Sequence, residues 1–246
     1  RHMSRTVASI EARMGSSRLP GKMMMLLDGT PVIAHLVGRM QQCKYLDGLV
    51  IATTENPADD AIAEWAAKNN VDCFRGSEDD VLARVLAAQE SMNADVVVEL
   101  CGDTPFLDPT VVNLAVSNWH ASGCDLLTTA RDRMLPDGQD LEIFPIEALR
   151  EIAERCTDKE AREHVSAPFY REDQWDVLDF RPPGKWKRPD LRLVLDTSAD
   201  ANFLGALAAA VSIRHGPMFG LDALLEIYDA SDALQILQAE CVEAAA

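Results

Sequence analysis

Thr6-Val7-Ala8-Ser9-Ile10-Glu11-Ala12 is a mostly apolar run that passes directly into Arg13-Met14-Gly15-Ser16-Ser17-Arg18-Leu19-Pro20-Gly21-Lys22. The first segment predicts a strand; the second, carrying glycine and proline, predicts a loop. Three cations stand in that loop, Arg13, Arg18 and Lys22, together with two serines and two glycines. Glycines let backbone N–H groups come close to an anion. Arginine offers phosphate oxygens a planar fork, and lysine offers a point charge. A loop at the C-terminal end of the first strand is where open α/β sheets bind ligands. The segment matches neither the Walker A spacing nor G-x-G-x-x-G. On spacing alone, a solvated basic surface loop is the competing reading.

Outward from this loop, short apolar strands alternate with amphipathic helices. Strands are expected over 48–54, 72–75, 94–100 and 124–130. Helices are expected over 31–42, 57–68, 78–92 and 109–120. This alternation predicts a three-layer α/β/α fold with a mostly parallel mixed sheet covered on both faces. From about Leu135 to Pro189 the pattern becomes irregular. Strands are expected there over 140–144 and 175–180, with helices over 147–155 and 158–170. A returning strand is expected over 191–195, and helices from about Asp200 close the chain.

The chain has 246 residues, 48% of them hydrophobic, enough for one well-buried α/β domain. Forty acidic residues against 23 basic ones give a net charge of −17. That balance argues against nucleic acid and anionic membranes as partners. It also makes the basic loop a local reversal of sign. No apolar stretch reaches eighteen residues, so no membrane-spanning helix is expected. Six separated cysteines without CxxC predict free thiols in a reducing, cytoplasmic setting. Arg1-His2-Met3 reads as an expression-tag remnant, with a single domain expected over 4–246.

The stretch Ala12-Arg13-Met14-Gly15-Ser16-Ser17-Arg18-Leu19-Pro20-Gly21-Lys22 resembles the signature loop of sugar-acid cytidylyltransferases. It is similar to that of the 3-deoxy-manno-octulosonate enzymes, and closer to the spore-coat polysaccharide family of acylneuraminate type. The resemblance continues through Ile51–Thr54, Phe74–Leu82, Gly102-Asp103-Thr104-Pro105, Asp137–Glu142, Arg162–Val165 and Arg192–Thr197. The segments keep the family's order over roughly residues 6–205.

The resemblance implies a GT-A-like nucleotidyltransferase fold, Mg²⁺ dependence, CTP as co-substrate, release of pyrophosphate and a homodimer. It implies a nucleotide site of Ala12, Arg13, Met14, Gly15, Ser16, Arg18, Lys22, Gly76, Ser77, Gly102 and Asp103. Asp103 and Asp196 are implied as metal ligands, since hard cations take oxygen donors. A turn or cap role competes at Asp103, and an N-cap of the following helix competes at Asp196. At Ser77 a cap role is compatible with nucleotide contact.

Arg13, Lys22, Asp103 and His164 are the expected catalytic set, His164 as proton acceptor. Asp140, Glu142, Arg162 and His164 are the expected acceptor-binding set. Asp140 and Glu142 would share one face of a strand. A solvated edge strand and a solvated helical face are the competing readings for this set. Residues 131–190 are expected to bind the acceptor and to form the dimer interface. The expected reaction moves CMP from CTP to an acidic sugar of nonulosonic or octulosonic type, for surface polysaccharide or glycan synthesis. A sugar phosphate or phosphonate acceptor, a GT-A glycosyltransferase and a non-catalytic nucleotide-binding protein are the alternatives.

Overall fold

The computed structural model describes residues 4–245; the tag reading of residues 1–3 lies outside them. The first strands and helices are β1 (Thr6–Glu11), β2 (Leu26–Leu27), β3 (Thr30–Pro31), α1 (Val32–Met40), β4 (Gly48–Thr54) and α2 (Asp60–Lys68). Next come β5 (Asp72–Gly76), α3 (Val81–Ser91), β6 (Val96–Cys101), α4 (Pro109–Ser122), β7 (Leu126–Thr128) and β8 (Glu142–Pro145). The chain continues through α5 (Ile146–Arg155), α6 (Lys159–Glu163), α7 (Ala167–Arg171) and β9 (Val177–Asp179). It ends with α8 (Ser198–His215), α9 (Leu221–Asp229) and α10 (Asp232–Ala245).

Seven strands form one sheet in the order β5-β4-β1-β6-β8-β7-β9. Strands β5, β4, β1 and β6 run parallel; β8 is antiparallel to both β6 and β7, and β9 is parallel to β7. The period-two alternation of strand side chains divides the core between the two faces. Ala8 and Ile10 of β1 pack with apolar residues of α1, α4 and α8. Val7 of the same strand packs with α3 and α5. The three-layer arrangement follows, and it sets the cation loop at the C-terminal end of β1, between β4 and β6 in the sheet. Among the described residues, no helix is long and apolar enough to cross a membrane.

The structure departs from the expected elements in three places, each with a local cause. The helix expected over 158–170 is two short helices, α6 and α7, separated at His164, whose backbone is extended (φ −114°, ψ 91°). Pro168 lies in the first turn of α7, and a proline ring excludes a helix through the carbonyl four residues earlier, here that of His164. The strand expected over 140–144 begins only at Glu142. Asp140 therefore lies off the strand and does not share its face. The strand expected over 191–195 is a buried extended segment with a single bridge, Asp137 to Arg192. Leu191, Leu193 and Leu195 alternate into the core as a strand would. Their N–H groups, however, donate to loop carbonyls: Leu193 to Asp137 at 2.6 Å and Leu195 to Asp103 at 2.9 Å.

Candidate active site

The loop after β1 is fixed by its own turns. The N–H groups of Ser16 and Gly21 donate to the Met14 carbonyl at 3.0 and 2.9 Å. The Met14 N–H donates to the Asp59 carboxylate at 2.6 Å. Gly21 takes a left-handed conformation, φ 75°, which starts a short 3₁₀ turn at Lys22. This turn directs the Lys22 side chain inward. Its ammonium donates to Asp103 at 2.8 Å, to the Leu195 carbonyl at 2.9 Å and to Asp196 at 3.0 Å.

Asp103 follows β6, and Asp196 ends the buried segment 191–195. The two carboxylates therefore converge on one point from opposite parts of the chain. Thr197, not Asp196, caps α8, in a reciprocal box with Asp200. Asp196 is thus available to cations and has three of them: Lys22, Arg18 at 3.2 Å and Arg192 at 3.1 Å. Burial alone would raise the Asp196 pKa, but Lys22, Arg192 and Arg18 hold it below the usual range. Burial would likewise lower the Lys22 ammonium, yet Asp103 and Asp196 hold it above its ordinary value. Arg192 is fixed in turn by Asp200 at 2.9 Å and Asp137 at 3.0 Å.

This cation–carboxylate knot lies in the wall of a cavity of about 630 Å³. Ala12, Arg13, Ser16, Arg18 and Lys22 line it on one side, and Gly102 and Asp103 on another. A Cβ on Gly102 would stand 2.8 Å from both the Glu11 carbonyl and the Met23 sulfur, so only glycine fits there. The loop after β5 contributes Glu78 and Asp79, with α3 adding Val81 and Arg84. Lys159, Glu163 and His164 of the α6 region close the far side. Met14, Gly15, Gly76 and Ser77 lie outside this wall. Ser77 accepts from the Asp80 N–H at 3.1 Å, while Asp80 itself caps α3.

The expected acceptor residues separate. His164 reaches the cavity. Arg162 does not line it: its guanidinium bonds Asp80 at 2.7 Å and donates to the Cys156 carbonyl at 2.8 Å. Asp140 pairs with Arg133 at 2.5 Å. Glu142 accepts from the Tyr170 hydroxyl and, at 3.3 Å, from Thr128. All six cysteines are free thiols, Cys101 at the cavity wall.

Several residues of this region carry little local signal in the sequence. Glu11 and Glu99 lie on the same sheet face of neighbouring strands, each with one carboxylate oxygen buried and unpartnered. Burial pushes both above the usual carboxylate range, and Glu99 well above it. A charged residue inside the apolar run Val96–Leu100 was the available clue to Glu99. Arg84 is buried, its Nη1 donates to the Ser77 carbonyl, and its Nε has no partner. Burial lowers its pKa, and among the described residues it makes no ion pair within 4.0 Å.

Known proteins share this arrangement of chain and fold. A family model described as cytidylyltransferase matches residues 7–176. The spore coat polysaccharide biosynthesis protein SpsF of Bacillus subtilis is 30% identical over 204 residues, covering 80% of this chain and 84% of that one. A 3-deoxy-manno-octulosonate cytidylyltransferase of Alteromonas mediterranea is 33% identical over 129 residues, 51% of this chain and 50% of that one. The solved structure of a cytidylyltransferase from Leptospira borgpetersenii superimposes with a TM-score of 0.88 at 28% identity, covering 96% of this chain and 98% of that one. The cation loop, the strand order that places it and the matched span agree: this chain is a nucleotidyltransferase that belongs to the cytidylyltransferase family.

Proposed function

We propose that the protein transfers CMP from CTP to an acidic sugar of the nonulosonic or octulosonic type, releasing pyrophosphate, with Mg²⁺ as cofactor. The observation that carries this reading is the convergence of Asp103 and Asp196 at the base of the cation loop. Their oxygens already surround a cation, the Lys22 ammonium, so the donor set suits a hard metal ion. When bound there, Mg²⁺ would neutralise triphosphate charge.

The chain's own groups do the rest. Arg13, Arg18 and Lys22 bind the triphosphate and offset charge growing on the departing pyrophosphate. Backbone groups of the loop that starts at Gly76-Ser77 and reaches the cavity at Glu78 and Asp79 hold the base. The acceptor hydroxyl oxygen attacks the α-phosphorus in line. Its bond to phosphorus forms as the bond to the bridging oxygen of pyrophosphate breaks, and His164 takes the hydroxyl proton. Arg162, Asp140 and Glu142 shape the acceptor side from behind the cavity wall. A homodimer in the cytoplasm completes the proposal. The homodimer is supported by β9, the last strand of the sheet, which lies in the segment 131–190 and bears the exposed Leu178.

Purified protein given CTP, Mg²⁺ and a panel of sugar acids is expected to release pyrophosphate. Asp103→Asn should lower turnover on the order of 10²–10³-fold, the usual scale for losing one electrostatic stabiliser. Full turnover by Asp103→Asn on a good acceptor would rule out the metal assignment. SpsF's spore-coat role and the octulosonate relative's substrate motivate the choice of acceptors.

A further inference from the structure

We infer that Lys22 is the built-in counter-ion of the Asp103–Asp196 pair, and that a free divalent cation is kept out until a triphosphate draws Lys22 away. Metal and nucleotide then load together rather than metal first. The inference goes beyond the proposed transfer reaction but rests on its placement of the metal at these carboxylates.

The ammonium occupies the point that the oxygen donors define. Its three contacts, to Asp103, Asp196 and the Leu195 carbonyl, lie between 2.8 and 3.0 Å. It therefore uses the same oxygens that a metal would need. Arg18 and Arg192 add two more cations to Asp196. Arg192 is shared with Asp137 and Asp200, but Lys22 and Arg18 alone match the two carboxylates in charge, so a divalent ion arriving alone meets a site whose negative charge is already compensated. It would have to expel the ammonium from three contacts of 2.8–3.0 Å, and the other carboxylates of the cavity wall, Glu11, Glu78, Asp79 and Glu163, make no contact with it.

A triphosphate changes that balance. It brings several negative charges to the loop that carries Arg13, Arg18 and Lys22. The backbone at Lys22 follows directly on this loop, so a side-chain rotation suffices to move its ammonium from the carboxylates to phosphate. Arg18 is the more exposed of the two and can follow. The two carboxylates then keep only the contact of Asp196 with Arg192, itself held by Asp137 and Asp200, just as the metal arrives with the nucleotide.

The test is Mn²⁺ titration of the full chain followed by the electron paramagnetic resonance of free Mn²⁺, without nucleotide. Wild type should bind Mn²⁺ weakly, and Lys22→Met at least tenfold more tightly. Lys22→Gln should show the same direction, and melting curves confirm which variant is folded. Adding Asp103→Asn to Lys22→Met should abolish the gain, which locates the ion at these carboxylates. Wild type binding one Mn²⁺ as tightly as both Lys22 variants would overturn the inference. If wild type nonetheless makes pyrophosphate from CTP with a sugar acid, the proposed function survives that result. If no CTP is bound or turned over under any condition, the proposed function itself fails.

Discussion

Glu99 and Glu11 stand as neighbours on one face of the β1–β6 pair, beside the cavity, and share their buried protonation. Burial, reinforced by the nearby Glu11 and Glu142 charges, keeps Glu99 protonated well above the usual carboxylate range. The folded chain therefore binds a proton that the unfolded chain has released. The contribution of Glu99 to stability is largest at acid pH and falls as pH rises from the unfolded value, about 4.3, towards the raised folded value. Glu99→Gln keeps a donor beside Glu11 and removes this dependence. It is expected to melt about 2–4 °C above wild type at pH 8, the shift for roughly 1 kcal/mol in a chain of this size. The gap should close by about pH 4. Scanning calorimetry across pH decides; a pH-independent gap would sink the assignment.

Arg84 predicts a different signature. Its guanidinium holds the Ser77 carbonyl, and at 3.5 Å the Glu78 carbonyl, without an ion pair of its own among the described residues. Relief of the burial cost of a charge that has no ion partner opposes the loss of the donor to the Ser77 carbonyl. Arg84→Met should therefore leave the melting temperature level or higher while weakening CTP about tenfold, the scale of one lost hydrogen-bonded contact. Tripolyphosphate, which lacks the base, should bind unchanged. Isothermal titration separates the two; equal losses for both ligands would place Arg84 at the phosphates.

At Gly102 the expectation is steric. An alanine methyl group would have to displace the Glu11 carbonyl or the Met23 sulfur. Gly102→Ala should cost about 1–3 kcal/mol in urea unfolding, as overpacking does. It should also weaken CTP, because Gly102 adjoins Asp103 in the cavity wall. Unchanged stability would mean that strand β6 ends differently.

Arg162 ties α6 to the cap of α3 through Asp80. Arg162→Gln should lose about 1.5–3 kcal/mol of stability, the range for a hydrogen bond to a charged group. The KM for the acceptor should change less than kcat. A raised acceptor KM with an unchanged melting curve would instead put Arg162 in contact with the acceptor.

What could be read in advance was what lies close in the chain. The loop from Arg13 to Lys22 announces itself because its cations, glycines and serines are neighbours, and the apolar periods of β1, β4 and β6 fix the parallel sheet. The contacts that complete the site are distant. Lys22 meets Asp103 81 positions away and Asp196 174 positions away, and no local pattern records either meeting. Arg162 reads as one charge on a charged helix, yet its partner Asp80 lies 82 positions earlier. The alternation at Leu191, Leu193 and Leu195 correctly signals burial but not the absence of a strand partner. Glu99 stands out as a charge in an apolar run, and nothing nearby names Glu11 as its companion.

The N–H of Leu195 donating to the Asp103 carbonyl has a consequence for how the molecule comes into being. A growing chain released just past β6, to Thr104, already holds the cation loop and the first carboxylate. The second carboxylate arrives only after the edge strands and the segment 191–195 have emerged and threaded back beside Asp103. Closure over so long a separation is slow compared with local pairing. The nascent protein would thus pair its strands early and assemble its reactive centre late, so a ribosome stalled before residue 196 would display a chemically silent chain, with the face of the sheet that α8 covers still open.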